Sequence, residues 1–188
     1  MLEYCFKKGF FVYYSKRSYR IGSVRMEITR KGTPYKLKGV QPKVGNKAPD
    51  FEAGNLTDEQ IKLSDFAGKV VLISVVPDID TRVCALQAKE FNKIASELEG
   101  VQLITISNNS KEEQADWCAG KDISMEMLHD SNLEFGEAYG LVMEELEKLA
   151  RSVFVINPKG EITYQEIVSE MSSEPDYDQA IKAARAAR

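Results

Sequence analysis

The stretch Val70-Val71-Leu72-Ile73-Ser74-Val75-Val76-Pro77-Asp78-Ile79-Asp80-Thr81-Arg82-Val83-Cys84 joins two opposite hydropathy patterns. Residues 70–76 are apolar and mostly β-branched, broken only by Ser74, which predicts a short strand covered on both faces. From residue 83 onward Val83, Leu86, Phe91, Ile94 and Leu98 fall on one predicted helical face, and Gly100 supplies the stop. The 77–81 segment is then a loop beyond the carboxyl end of a central strand. In open α/β sheets that is where ligands bind.

The flanking sequence reads in the same way. Upstream, 26–29 and 35–37 flank a turn at Lys31-Gly32-Thr33 and predict a small hairpin, and a second strand pair brackets 55–60. Downstream, 101–107 alternates as the next strand, and 111–119 and 131–139 read as short helices. Residues 151–157 and 161–168 form a hairpin around Asn157-Pro158-Lys159-Gly160, and 175–187 is a last helix with Pro175 in its first turn. From residue 70 the order is strand, helix, strand, helices, strand, strand, helix. That succession is expected of an α/β thioredoxin-like sandwich, a central mixed sheet flanked by helices, here with an N-terminal β-hairpin.

Length and composition agree with one such unit. The chain has 188 residues, 43% hydrophobic and 29% charged, enough apolar material for a core and too little bias for disorder. No apolar run approaches the roughly 18 residues that span a bilayer, so a soluble protein without membrane association is expected. None of the twelve glycines lie two or five apart, which removes the simplest dinucleotide and phosphate-binding loops. Three cysteines (Cys5, Cys84, Cys118) and one histidine (His129) are too scattered for the usual zinc pairings. His129 reads as structural, and no metal or cofactor is implied. An odd, small cysteine count suits a reducing compartment such as the cytoplasm, where a disulfide is transient and catalytic.

Residues 1–25 differ from the rest. They hold six Lys/Arg against one Glu and seven of the seventeen aromatics, whereas 26–188 carries a net charge of −9. The apolar stretch 9–14 is cut off by Ser15, Lys16 and Arg17, unlike a signal peptide. The expected division is a basic aromatic extension, 1–25, outside the fold, and a single domain, 26–188. Its acidic balance disfavours nucleic-acid binding.

Cys84 falls in the first turn of its predicted helix, with Thr81 as N-cap, where unpaired N–H groups and the helix dipole favour an anion. Magnitude shows that this alone is insufficient. A thiol of pKa about 8.5 is roughly 3% ionised at pH 7, and bringing it to about 6 takes about 3.4 kcal/mol, whereas a helix terminus supplies at most about 2 kcal/mol. A nucleophilic Cys84 therefore needs a cation. Arg82 is two residues away and points elsewhere on a helix. Arg151 opens a strand expected to run antiparallel beside 70–76, so its beginning meets that strand's end. Each residue also has a plainer reading: the cysteine as a small buried hydrophobe, Thr81 as a cap, Pro77 as a loop former, Arg151 as a surface strand residue.

The string Pro77-x-x-Asp80-Thr81-x-Val83-Cys84, the pair Trp117-Cys118, the run Leu149-Ala150-Arg151-Ser152-Val153-Phe154-Val155-Ile156 and Glu174-Pro175-Asp176-Tyr177 together resemble the bacterial thiol peroxidases, the atypical two-cysteine peroxiredoxins. The resemblance covers about residues 26–188. It implies a thioredoxin-dependent peroxidase that reduces hydrogen peroxide and organic hydroperoxides, with Cys84 peroxidatic and Cys118 resolving. Thr81 and Arg151 would hold thiolate and peroxide, Pro77 would shield the pocket, and the molecule would be a homodimer. Asp78 and Arg82 stand where the family usually has Ser and Gly, so Asp78 is expected partly to oppose thiolate formation. Asn108-Asn109-Ser110-Lys111-Glu112-Glu113-Gln114 likewise departs from the family's pattern.

On this resemblance the Cys84 thiolate becomes a sulfenic acid, Cys118 condenses with it to a disulfide, and a thioredoxin-like dithiol reduces the disulfide. Both cysteines lie on predicted helices, so local unwinding is expected in each cycle. Two other functions stay open on sequence. One is a thiol-disulfide oxidoreductase acting without peroxide, against which the missing C-x-x-C counts. The other is a non-catalytic thioredoxin-fold interaction module.

Overall fold

A computed structural model describes residues 26–95, 98–120 and 125–188; the extension 1–25, Cys5 included, lies outside the described residues. Strands β1 (Glu27–Arg30) and β2 (Thr33–Lys36) form the N-terminal hairpin. Lys31 and Gly32 both have left-handed backbones (φ 51° and 79°), a two-residue turn whose twist matches that of its strands. Thr33, expected in the turn, instead pairs with Arg30 as the first residue of β2. Strands β3 (Glu52–Asn55) and β4 (Gln60–Lys62) are the second pair, closed by the Asn55 side-chain oxygen, which accepts from the Thr57 and Glu59 amides at 2.9 Å each.

The central unit is β5 (Val70–Val75), α1 (Arg82–Ala95), β6 (Val101–Ser107), α2 (Lys111–Ala119) and β7 (Glu126–His129). After it come α3 (Glu134–Ala138), the short pair β8 (Val142–Met143) and β9 (Lys148–Leu149), the hairpin β10 (Ser152–Ile156) and β11 (Ile162–Ile167), and α4 (Tyr177–Ala186). Seven strands make one mixed sheet in the order β11-β10-β5-β6-β7-β3-β4. β5, β6 and β7 are parallel, and β10 runs antiparallel to β5.

Alternation along β5 divides the interior in two. Val71, Ile73 and Val75 join the core with Ile104, Ile106, Phe135, Tyr139, Phe154 and the hairpin residue Ile28. Val70 and Leu72 face Phe91 and Ile94 of α1 and Ala180 and Ala184 of α4. Each buried aliphatic side chain contributes about 1.5–3 kcal/mol, so a charge anywhere in β5 breaks one core or the other.

Three expectations are corrected. β7 reads as neither helix nor strand in the sequence because it has four residues; it becomes a strand by pairing with both β6 and β3. The buried side of α1 carries Cys84, Gln87, Ala88, Phe91 and Ile94, while Val83 is half-buried and Leu86 is 39% exposed. Hydropathy misses this rotation because the inward residue that sets it, Gln87, is polar. Pro175 precedes the cap of α4; Asp176 is the N-cap, its side chain accepting from the Gln179 amide at 3.0 Å.

The end of β7 carries two tightly packed polar groups. The His129 imidazole lies on Gly54, where any Cβ would collide with the ring. Asp130 is buried and accepts from the Phe135 and Gly136 amides at 3.0 and 2.9 Å. Burial pushes its carboxyl up from 3.8 to about 6, against the pull of those amides. A raised acid binds its proton more tightly folded than unfolded, so its contribution is complete below about pH 4 and is lost as pH rises through about 6. Between pH 4 and pH 7 the wild type is expected to lose on the order of 2–3 kcal/mol of stability relative to Asp130→Asn, measured by urea unfolding of both proteins. Equal pH slopes would contradict this.

Candidate active site

The carboxyl end of β5 leads through a loop into α1, and the loop holds its own shape. The Thr81 amide and hydroxyl both donate to the Asp78 carbonyl, at 3.1 and 3.0 Å, and the Thr81 carbonyl accepts the Ala85 amide at 3.0 Å to start the helix. Thr81 thus caps through its main chain while its hydroxyl closes the turn. Pro77 is buried beneath the loop. Cys84 is the third residue of α1 and only 1% exposed, packed with Val76, Ile79, Ala88, Trp117 and Met127.

Arg151 meets it from the neighbouring strand, on the same face of the sheet. Ser152 pairs with Val75, so the residue before β10 stands beside the end of β5, as the strand order required. The side chain is 2% exposed. Its Nη2 donates to Cys84 Sγ at 3.4 Å and to the Met171 carbonyl at 3.0 Å, its Nε to the same carbonyl at 3.1 Å, and its Nη1 to Gln87 Oε1 at 2.5 Å. Among the described residues these hydrogen-bond partners are a main-chain carbonyl, an amide oxygen and a sulfur. Of these partners the sulfur is the one able to become an anion.

Gln87, which the sequence reading missed, completes the arrangement. It is fully buried, and its Nε2 donates to Ser74 Oγ at 2.9 Å and to the Val75 carbonyl at 3.3 Å. Anchored to β5 in this way, its Oε1 is aimed at Arg151. The available signal was its place three residues after Cys84, on the same side of the helix.

The charge expected to oppose a thiolate is engaged elsewhere. Asp78 Oδ1 accepts from the Asp80 amide at 3.3 Å and from Asn109 Nδ2 at 3.5 Å, and Oδ2 lies 4.0 Å from Lys148 Nζ. Arg82 is exposed. Asn109, in the run that departs from the family pattern, is buried and ties loop to loop: its Oδ1 accepts from the Ile79 amide at 3.2 Å and from Ser107 Oγ at 2.6 Å.

Cys118 lies one residue before the end of α2, half-buried against the same apolar cluster that contains Cys84. Both thiols are free. Burial pushes the Cys118 thiol up from its ordinary value. The beginning of its helix is firmly fixed: Ser110 and Glu113 cap each other's amides, and Gln114 Nε2 donates to the carbonyls of Ser107, Asn109 and Leu128 at 3.2–3.3 Å.

The chain is similar to known proteins in sequence and in fold. The AhpC/TSA family model matches residues 44–165. The thiol peroxidase of Listeria innocua is 47% identical over 163 residues, 86% of this chain and 99% of that protein. That of Bacillus subtilis is 45% identical over 162 residues, 85% and 97% of the two chains. Among solved structures, the peroxiredoxin-like protein of Aquifex aeolicus has a TM-score of 0.82 at 29% identity, covering 86% of this chain and 97% of that one. The thiol peroxidase of Chromobacterium violaceum, at 16% identity and a TM-score of 0.77 over 85% and 96% of the two chains, shares the fold.

Proposed function

Because this chain belongs to the AhpC/TSA family and is a thiol-dependent peroxidase, we propose that Cys84 is the sulfur that meets the peroxide and Cys118 the one that resolves it. The observation that carries the assignment is the 3.4 Å contact from the buried Arg151 guanidinium to Cys84 Sγ. Helix-terminal amides and a guanidinium both favour negative charge at this position.

The thiolate attacks one peroxide oxygen, the O–O bond breaks, and hydroxide or alkoxide departs and takes up, by way of solvent, the proton that the thiol released on ionising, leaving Cys84 as sulfenic acid. Arg151 and the first amides of α1 stabilise charge on the departing oxygen, and the Thr81 hydroxyl turns from the Asp78 carbonyl toward the peroxide. Pro77 screens the pocket from bulk water. The Cys118 thiol then displaces water from the sulfenic acid to form a disulfide, which a thioredoxin-like dithiol reduces by exchange. While buried, Cys118 is kept protonated and slow to react. Unwinding the last turn of α2 delivers it to Cys84 and removes the burial that suppresses its ionisation, while Gln114 keeps the rest of the helix docked.

We take 26–188 as the working unit, since it has as many residues as the Listeria innocua match. A homodimer, as the family resemblance implies, and a cytoplasmic setting, where dithiol reductants operate, complete the proposal; sedimentation velocity tests the first. Trp117, the single tryptophan and the neighbour of Cys118, supplies the decisive readout. Stopped-flow mixing of reduced protein with hydrogen peroxide or an alkyl hydroperoxide is expected to give a fast bimolecular fluorescence phase and then a slower, concentration-independent one. Cys118→Ser should consume one equivalent of peroxide and recycle poorly with thioredoxin. Steady recycling by that variant would remove Cys118 from the cycle.

A further inference from the structure

The Met171 carbonyl that receives two guanidinium bonds is not part of any strand or helix. It belongs to a short strap, 168–172, whose position is set largely by the N-terminal hairpin. The Val168 amide donates to the Arg151 carbonyl at 2.9 Å, the Thr29 amide to the Ser169 carbonyl at 2.7 Å, and the Met171 amide to the Thr29 carbonyl at 2.8 Å. One side chain unites hairpin and strap. Glu170 Oε1 accepts from the Lys31 amide at 2.9 Å, the Ser172 amide at 3.0 Å and the Ser172 hydroxyl. Its Oε2 accepts from Thr29 Oγ1 at 2.9 Å and the Gly32 amide at 3.2 Å.

Three of those donors are main-chain amides, and two of them belong to the left-handed turn residues Lys31 and Gly32. Lys31 adopts a conformation that a non-glycine residue holds only with support, and the carboxylate supplies it. The donors, the Ser172 hydroxyl foremost, hold the Glu170 carboxyl well below the usual carboxylate range, so it stays ionised. The chain of contacts runs from the hairpin turn to Glu170, through one peptide to the Met171 carbonyl, to the Nε and Nη2 edge of Arg151, and to Cys84 Sγ.

Resting on the assignment of Cys84 as the peroxide-reactive sulfur, we propose that Glu170 is a positioning residue: by clasping the hairpin turn to the strap it fixes the Met171 carbonyl, and thereby sets the guanidinium of Arg151 against Cys84. It touches no reacting atom. The hairpin is on this account a brace for the reactive centre as well as a cover for the core.

Glu170→Ala is expected to fold, because the main-chain bonds between Thr29 and the strap remain. The rate of Trp117 fluorescence change with hydrogen peroxide should fall about tenfold, since a misplacement of about 1 Å costs about a hundredfold and the remaining main-chain bonds keep the shift smaller. The pH profile of Cys84 alkylation by iodoacetamide should move to higher pH. Reduction of the preformed disulfide by thioredoxin, which does not use the contact between Arg151 and the thiol, should keep its wild-type rate. Glu170→Gln, which retains one accepting oxygen, should fall between wild type and alanine.

A wild-type oxidation rate and an unmoved alkylation profile in Glu170→Ala would overturn the inference, as would an equal loss in the disulfide-reduction step, which marks general loosening. Should Glu170→Ala fail to fold, Thr29→Val carries the same test: a slower oxidation with a displaced profile supports the coupling, and unchanged values refute it. A wild-type protein whose Cys84 ignores peroxide sinks the underlying assignment and this inference with it. A reactive wild type matched by Glu170→Ala sinks the inference alone.

Discussion

Cys84→Ser protein mixed with hydrogen peroxide and a thioredoxin-type dithiol is expected to consume peroxide no faster than the uncatalysed background, a loss of at least about a thousandfold. A serine oxygen in this position has no path to a sulfenic acid, so the first covalent step disappears and Cys118 has nothing to condense with. The substitution is nearly isosteric, and the surrounding apolar cluster of Val76, Ile79, Ala88, Trp117 and Met127 changes little in volume. The defect should therefore appear with a normal circular dichroism spectrum and an intact thermal transition. The same experiment separates the rival functions. Residual turnover in this variant would move the chemistry to another residue. A wild type that exchanges disulfides without consuming peroxide would make the protein an oxidoreductase of another kind.

The second large effect belongs to Arg151→Lys, for which kcat/KM toward hydrogen peroxide should fall about a hundredfold, the consequence of losing charge-assisted hydrogen bonds worth about 1.5–3 kcal/mol each. Charge is conserved in this change; geometry is not. The guanidinium reaches Met171 O, Gln87 Oε1 and Cys84 Sγ at once from one rigid plane. A lysine ammonium concentrates its three donors at one point, from which it cannot span acceptors that the guanidinium meets separately through Nε, Nη1 and Nη2. It is also more strongly hydrated and less tolerant of complete burial. Stopped-flow oxidation monitored at Trp117 should show the loss in the bimolecular phase, with disulfide formation in the later phase much less affected. A variant within a few-fold of wild type would show that a positive charge suffices and that the three-way fork is incidental.

Gln87 and the Met171 carbonyl both enter the second argument, and neither was legible in the sequence. Gln87 sits on a helix whose hydropathy suggested a different inward face, because hydropathy scores an amide as outward. The amide turns inward since Ser74 Oγ, the Val75 carbonyl and Arg151 satisfy both its ends. The Met171 carbonyl leaves no trace in the side-chain sequence at all. Asp78, standing where the family usually has Ser, was expected partly to oppose thiolate formation; its carboxylate instead meets Asn109 and Lys148, thirty-one and seventy residues away.

What the linear order of residues determined about this protein is whatever depends on neighbours along the chain. The apolar run ending at Val76 and broken only by Ser74, the turn residues after it and a cysteine three residues into a helix are local patterns, and each recurs in the folded molecule. Arg151 could be located as well, because an antiparallel strand of known order must begin where its partner ends. Tertiary structure alone decided which dipoles hold that arginine, which groups meet Asp78, that 126–129 pairs as a strand, and that Glu170 joins the N-terminal hairpin to the segment whose Met171 carbonyl holds Arg151. These depend on hydrogen bonds between groups far apart in sequence. Burial makes such bonds obligatory, and only the packed fold specifies which partner meets each group.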